Sequence, residues 1–211
     1  MNLDDLRDEF RHQTVWVLGS GPSLNFLDKN FFADKIVIAT NFAGSTIGIE
    51  PEVAFSHYHQ NAKQLSEVSG IVVTLARDTV TQAAWAGLVP DNVVLVDQLS
   101  YDPPGSAWNP LTIHRPTTIA YGSSSLHGAM HLASFMGAGS IVLVGADCGT
   151  IDGEHRVAGY PVDGHKLWSL YNKHHQLMKT YLEQEYGTMV YSLNPFINLN
   201  LEGHKFEGPH A

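Results

Sequence analysis

The stretch from Val15 to Asn41 constrains the fold of this chain more than any other segment. It begins Val-Trp-Val-Leu-Gly-Ser-Gly-Pro-Ser-Leu and ends Ile-Val-Ile-Ala-Thr-Asn. The pattern predicts a buried strand, a tight glycine-rich turn, the start of a helix and a second buried strand. A turn of this kind presents free backbone N–H groups, which suit a phosphate group. We therefore expect a nucleotide or another phosphorylated molecule as the ligand.

The rest of the chain repeats this alternation of strands and helices. Several predicted strands are apolar at nearly every position, which is typical of parallel strands covered on both faces. The predicted strands are Thr14–Leu18, Lys35–Thr40, Glu52–Ser56, Ile71–Leu75, Val93–Val96, Thr117–Tyr121, Ser140–Val144 and Thr188–Ser192. The predicted helices are Leu3–Arg11, Ser23–Phe32, Asn61–Val68, Ser124–Met136 and Lys166–Tyr186. This order predicts an α/β fold, in which residues 1–200 form a single Rossmann-like, three-layer α/β/α nucleotide-binding domain with a mostly parallel sheet.

Length, charge and cysteine content narrow the class of function. The chain has 211 residues and a formal net charge of −9, with no run of Lys or Arg. Because a nucleic-acid backbone needs a basic surface, we expect no nucleic-acid partner. Cys148 is the only cysteine, and the N-terminus lacks the features of a signal peptide. No apolar run reaches the length of a membrane span, so the sequence favours a soluble cytoplasmic protein without a transmembrane segment.

Three segments are predicted to lack regular structure. Ser100–Pro116 is rich in proline, and Cys148–Gly164 is rich in Gly, Asp and His. Loops of that length in a compact α/β domain are often functional lids. Residues 201–211 form a C-terminal tail that is a candidate for disorder.

The glycine turn and the end of the second strand supply the first candidate ligand-binding residues, which are Gly19, Ser20, Gly21, Pro22, Ser23 and Asn41. The glycines would let the backbone approach a ligand, and Pro22 suits a first helical position. The turn is neither the dinucleotide fingerprint nor a P-loop, because it lacks the third glycine of the one and the Lys-Ser/Thr ending of the other. The alternative for the glycine turn is an ordinary strand-to-helix turn. The alternative for Asn41 is a turn-forming asparagine.

Two later strand ends supply a second group of candidates. Ser123, Ser124 and Ser125 precede a predicted helix, where Ser123 or Ser124 can also act as a simple N-cap. Gly145 and Asp147 follow a buried strand, where a carboxylate can accept from ribose hydroxyls, hold a metal ion or cap a loop. We expect the loops after the first, second and seventh strands to converge on one cleft.

Among the 12 histidines, His165 is the candidate catalytic base. It follows the loop Cys148–Gly164 at the predicted start of the last helix, where its imidazole could take a proton from a hydroxyl group. The pairs His57/His59 and His127/His131 have spacings that allow metal binding, but neither has an evident third ligand. A polar helix face explains the second pair better. In His174-His175, one residue is expected to pack and the other to be solvated.

Taken together, these motifs resemble those of the bacterial sialyltransferases of glycosyltransferase family 42. Gly19–Leu24, Asn41, the serine turn, Gly145–Asp147 and Gly164-His165 occur in the order seen in that family. The early motifs are also similar to the DUF115 group, which includes motility accessory factors and archaeal 6-hydroxymethyl-dihydropterin diphosphokinases. The similarity spans roughly residues 14 to 200.

The sialyltransferase resemblance implies roles for these residues. The glycine turn and Asn41 would hold the cytidine monophosphate part of a donor sugar, and His165 would deprotonate the acceptor hydroxyl. Ser124 and Ser125 match a Thr-Ser pair of the family, and Asp147 matches the aspartate that ends the following strand. The family needs no metal, and enzymes of this kind often form tetramers, which implies a homo-oligomer. Two departures are Leu126, where the family carries glycine, and the absence of its phosphate-contacting tyrosines after Asp147.

Three hypotheses follow from the motifs and the resemblance. The first is a transferase that uses a nucleotide-activated donor, such as a CMP-sugar, with no cofactor. The second is a Mg²⁺-dependent diphosphokinase acting on a pterin-like alcohol, with Asp147 and Asp152 as candidate ligands of the metal. The third is a non-catalytic nucleotide-binding module.

Overall fold

Among the described residues, the sheet that positions the candidate ligand-binding residues is fully parallel. The computed structural model describes residues 1–67, 69–76, 89–99, 118–120, 122–161 and 167–193. These residues contain eight strands: β1 (Thr14–Leu18), β2 (Ile36–Thr40), β3 (Val53–Ser56), β4 (Ile71–Ala76), β5 (Val93–Leu99), β6 (Thr118–Ala120), β7 (Ser140–Val144) and β8 (Met189–Ser192). Their order in the sheet is β6-β5-β4-β3-β2-β1-β7-β8. The predicted α/β class is confirmed, and the strands lie where the apolar runs predicted them.

The chain reverses its direction across the sheet next to β1. It proceeds outward from β1 to β6 and then returns to place β7 on the other side of β1. Val15 is therefore paired in register with both Ile36 of β2 and Ile141 of β7. In open α/β sheets a crevice forms at such a point, outside the carboxyl ends of the strands, and ligands bind there.

Helices cover both faces of the sheet. Helix α1 spans Ala43–Thr46, α2 spans His59–Leu65, α3 spans Ser125–Phe135 and α4 spans Trp168–Glu185. Every residue of α3 is buried, because α3 lies between the sheet and α4. Side chains of β3 alternate between the faces: Phe55 belongs to the core beneath α3, whereas Ala54 packs with α2.

Two predicted helices are wrong as α-helices. The segment Leu3–Arg11 forms only a 3-10 helix over Leu3–Leu6, whereas Ser23–Phe32 divides into 3-10 helices Pro22–Phe26 and Lys29–Phe32. Asp28 is the N-cap of the second of these 3-10 helices, and its side chain accepts a hydrogen bond from the Asn30 amide. The predicted helix Asn61–Val68 begins earlier, at His59, and α1 was not predicted.

Several predictions lie outside the described residues. These are the loop Ser100–Pro116, the tail over residues 201–211, Gly164, His165, and the boundary residues Thr117, Tyr121, Lys166 and Val68. In the part of the chain that is described, no helix is long and apolar enough to cross a membrane.

Candidate functional site

A cavity of about 300 Å³ lies at the carboxyl edge of the sheet, where the turns after β1 and β7 meet. Its volume is at the lower end of the range for ligand pockets, about 300–1,000 Å³. The strand ends and the start of α3 contribute Gly19, Ser20, Gly21, Thr40, Asn41, Ser123, Ser124, Ser125, Leu126, Gly145, Ala146, Asp147, Cys148 and Gly149. The loops after β1, β2 and β7 thus converge on one cleft, as the sequence predicts.

The backbone of the glycine turn is largely occupied by the protein itself. Gly19 N donates to Val144 O and Gly21 N donates to Gly145 O, both at 2.8 Å. Ser23 N donates to Asp147 Oδ2 at 2.6 Å. The expected free N–H groups are therefore absent at these three positions, and within the turn only the Ser20 amide has no acceptor among the described residues. The turn leads into a short 3-10 helix instead of an α-helix, so it also lacks the dipole of a long helix.

Asp147 holds the glycine turn in place. Its Oδ1 accepts from Ser23 Oγ at 2.6 Å, and its Oδ2 accepts from Ser23 N. Burial raises the pKa of the Asp147 carboxyl, and the two hydrogen bonds from Ser23 oppose that rise. Pro22 and Ser23 are not among the described residues that line the cavity. These contacts show the loop-capping role, and Asp147 also lines the cavity, so its contact with a ligand stays a prediction.

Asn41 is central to a polar network at the end of β2. Its Oδ1 accepts from Ser56 Oγ at 2.8 Å and from Asn61 Nδ2 at 3.4 Å, and its Nδ2 lies 3.4 Å from Ser125 Oγ. The backbone of Asn41 has a φ of 48°, in the left-handed region that asparagine tolerates better than most residues. This conformation lets β2 end and its last side chain turn into the cavity.

The serine turn combines helix capping with cavity lining. Ser124 is the N-cap of α3: its Oγ accepts from Leu126 N, and its own N–H donates to His127 Nδ1 at 3.1 Å. Ser123 Oγ lies 2.9 Å from His174 Nδ1. All three hydroxyl-bearing residues of the turn line the cavity, so capping does not exclude them from contact with a ligand.

Four of the histidines are buried between α3 and α4. The His127 ring centroid lies 5.7 Å from that of His174 and 4.7 Å from that of His175. Both His174 and His175 are buried, so the prediction that one of them is solvated is wrong. His131 accepts from Ala120 N at 2.6 Å through Nδ1, and its Nε2 lies 2.8 Å from the Tyr186 hydroxyl.

Burial lowers the pKa of three of these histidines, His127, His174 and His175. It lowers the pKa of His127 well below the usual value, and the neighbouring imidazoles of His175 and His174 add to the effect. Burial, followed by the effect of His174, also lowers the pKa of His175 to about 3. The described residues include no group of three or more His, Cys, Asp or Glu side chains that could hold a metal ion. His57 is buried. His165 lies outside the described residues, so the role of His165 as a base stays a prediction.

Sequence reasoning missed the residues that line the cavity from outside the strand ends and the start of α3. They are His155, Arg156, Tyr160, Trp168, Tyr171 and His175, together with Tyr58, Gln60 and Asn61. Arg156 donates from Nη1 to Ser20 Oγ, and its guanidinium carbon lies 5.6 Å from the Tyr160 ring centroid. One feature of the sequence could have pointed to Arg156 as a site residue: it is the only Lys or Arg in the predicted lid Cys148–Gly164.

Comparison with solved structures identifies the fold. The sialyltransferase CstII from Campylobacter jejuni, in complex with the substrate analogue cytidine-5'-monophosphate, superposes with a TM-score of 0.54 at 16% identity, over 90% of this chain and 83% of that one. The monofunctional α-2,3-sialyltransferase Cst-I from the same organism gives 0.54 at 13% identity, over 90% and 78%. A Cst-II variant in complex with CMP gives 0.53 at 14% identity, over 87% and 82%.

No protein-family model matches the chain, and no curated protein does. The resemblance to the DUF115 group therefore stays a prediction. At these levels of identity the solved structures establish the architecture and not the activity. In its fold, this chain is similar to the sialyltransferases of Campylobacter jejuni.

Proposed function

We propose that the chain is a transferase that takes a nucleotide-activated sugar, most simply a CMP-sugar, and transfers the sugar to a hydroxyl group. The observation that carries this proposal is the position of the cavity. It lies at the carboxyl ends of β1 and β7, where the order of the strands reverses, in a fold similar to that of sialyltransferases whose structures contain CMP. Open α/β sheets bind nucleotides at this point of the topology.

The polar lining suits a nucleotide. The nucleotide would lie against Gly19–Gly21 and the side of Asn41, with hydroxyl donors from Ser123–Ser125. In the transfer step, the acceptor oxygen attacks the sugar carbon while His165 takes the hydroxyl proton. The bond from that carbon to the phosphate oxygen breaks, and its electron pair leaves with CMP.

The diphosphokinase hypothesis has less support from the contacts. It would require carboxylates for Mg²⁺, but both oxygens of Asp147 accept hydrogen bonds from Ser23. Asp152 is exposed and does not line the cavity. We therefore propose a reaction that uses no metal. The experiment described next tests the sugar transferase and the diphosphokinase together.

Thermal unfolding with a panel of nucleotides tests the ligand class. We expect CMP and CDP to raise the melting temperature in the presence of EDTA, because ligands that bind only the folded state stabilise it. Stabilisation by ATP only with Mg²⁺ would support the diphosphokinase instead. A chain that no nucleoside phosphate stabilises would contradict the proposal.

The substitution His165→Ala separates catalysis from binding. We expect it to leave the stabilisation by CMP unchanged and to reduce CMP release from a CMP-sugar by about 10²–10⁴-fold, the usual contribution of a general base. Unchanged turnover would show that His165 is not the base. Binding without turnover in the unsubstituted chain would indicate a non-catalytic module.

A further inference from the structure

We propose that the Arg156 side chain holds the phosphate of the ligand, in place of the backbone of the glycine turn. The inference rests on the proposed function, because it assigns one group of that ligand to one residue. It starts from two observations already described. The amides of Gly19, Gly21 and Ser23 in the turn donate to acceptors within the protein, and the Arg156 cation lines the same cavity beside Ser20.

The protein fixes the backbone that directly follows Arg156. Val157 N donates to Ser20 O at 2.9 Å, and Ala158 N donates to Asn25 Oδ1 at 2.9 Å. The Val157 side chain is buried in the same hydrophobic cluster as Leu24. The loop is thereby attached to the glycine turn, and the guanidinium is positioned beside Ser20.

The guanidinium has donors that the protein does not use. Nη1 donates to Ser20 Oγ, while Nε is buried and has no hydrogen-bond partner among the described residues. No described carboxylate forms an ion pair with Arg156. Arg156 is half-buried, and a charge partly removed from water is costly unless a counter-charge and hydrogen bonds compensate for it. An anionic ligand would supply both.

The surroundings of Arg156 add further hydrogen-bonding groups. Tyr160 and Tyr171 line the same cavity. Burial raises the pKa of both phenols, and the positive charge of Arg156 opposes that rise; for Tyr160, hydrogen bonds with Ser20 and Asn41 oppose it as well. Asp147 is the carboxylate that lines the cavity, and its oxygens are directed to Ser23.

These donors fit a phosphate better than a carboxylate. A guanidinium can bind two oxygens of a phosphate at once, and Ser20 N–H can serve a third. In a transfer reaction without a metal, the phosphate gains negative charge as its bond to the sugar breaks. A fixed cation at that position stabilises the charge while remaining protonated itself.

Calorimetric titration of cytidine and CMP, in EDTA, tests the assignment. We expect the unsubstituted chain to bind CMP about 10- to 100-fold more tightly than cytidine, the range for hydrogen bonds to charged groups. In Arg156→Gln this ratio should fall to about one, while the affinity for cytidine stays the same. Arg156→Lys, which retains the charge but not the fork of donors, should give an intermediate ratio. The matched control is Arg11→Gln, because Arg11 is exposed and outside the cavity.

Two outcomes distinguish this inference from the proposed function. If Arg156→Gln binds CMP with an unchanged ratio to cytidine, the inference is wrong and the nucleotide site stands. If neither cytidine nor CMP binds, inorganic pyrophosphate becomes the probe. Binding of pyrophosphate that requires Arg156 would then support the inference while the proposed function fails, and its absence would overturn both. Should Arg156→Gln not fold, Arg156→Lys provides the comparison.

Discussion

At the scale of single residues, the turn after β1 depends on the absence of a side chain at Gly21. A Cβ there would lie 2.5 Å from Asp147 Oδ2 and 2.7 Å from Gly145 O, and neither atom is free to move. We expect Gly21→Ala to lower the free energy of unfolding by about 1–3 kcal/mol, the usual cost of overpacking. It should also weaken CMP binding, because the turn must shift. Urea unfolding and CMP titration measure the two effects.

The control for this substitution is Gly70→Ala. A Cβ at Gly70 would meet Glu52 O at 3.5 Å, an ordinary contact distance. Equal stability losses for both variants would show that the close approach at Gly21 is not what matters.

Some site residues could be predicted from the sequence, and the reason is geometric. Asn41 and Asp147 directly follow buried parallel strands, whose carboxyl ends must meet at one edge of the sheet. Arg156 and Tyr160 follow no strand, and they reach the cavity because Val157 N bonds to Ser20 O. That tertiary contact has no signature in the sequence. The hydrogen bonds that Ser23 donates to Asp147 could not be predicted from the sequence either, since they join residues far apart in the chain.

At the scale of elements, α3 lies against β3 because Gly128 has no Cβ. A Cβ there would collide with the ring of Phe55, which is completely buried. In an exposed helix Gly→Ala would stabilise by about 1 kcal/mol, but overpacking outweighs this gain here. We therefore expect Gly128→Ala to destabilise the protein in urea unfolding.

A second substitution tests that explanation. Phe55→Leu removes the ring atoms, so Gly128→Ala should cost less in the Phe55→Leu background than in the unsubstituted chain. Additive effects in the double variant would contradict the proposed collision.

The packing of α3 against α4 makes stability depend on pH. The pKa of the buried His127 and His175 is lowered in the folded protein, to about 3 for His175. Below the usual pKa of 6.5 the unfolded chain therefore binds protons that the folded protein does not. The free energy of unfolding should fall by up to about 1.4 kcal/mol per pH unit for each such histidine as the pH decreases.

Urea unfolding between pH 7 and pH 4 measures this dependence. His175→Gln should give a shallower decline than the unsubstituted chain, whereas His12→Asn, at an exposed histidine, should not change it. An unchanged slope in His175→Gln would show that this imidazole does not contribute.

Strands were easier to predict than helices in this chain. The strands β1 and β7 were predicted with their correct boundaries, because a strand covered on both faces is a continuous apolar run. The segment Ser23–Phe32 also has helical spacing, yet it forms two 3-10 helices. Its first residues bond to Asp147 and to the loop that carries Arg156, and these long-range contacts override local propensity.

At the scale of the whole molecule, charge favours small anionic ligands over polymers. The net charge of −9 repels a nucleic-acid backbone, whereas a single arginine in the cavity can serve one phosphate group. We expect no binding of labelled single-stranded DNA in fluorescence anisotropy at low salt, under conditions where CMP binds. Tight binding of the DNA would contradict this prediction.

The placement of β1 between β2 and β7 also has a consequence for biosynthesis. Gly19 and Gly21 are held by Val144 and Gly145, which a ribosome adds long after β1. A nascent chain that has already formed β1 to β6 still exposes one unpaired edge of β1, and such edges invite aggregation. The proposed ligand site is thus completed late in translation, when β7 arrives and pairs with the free edge of β1.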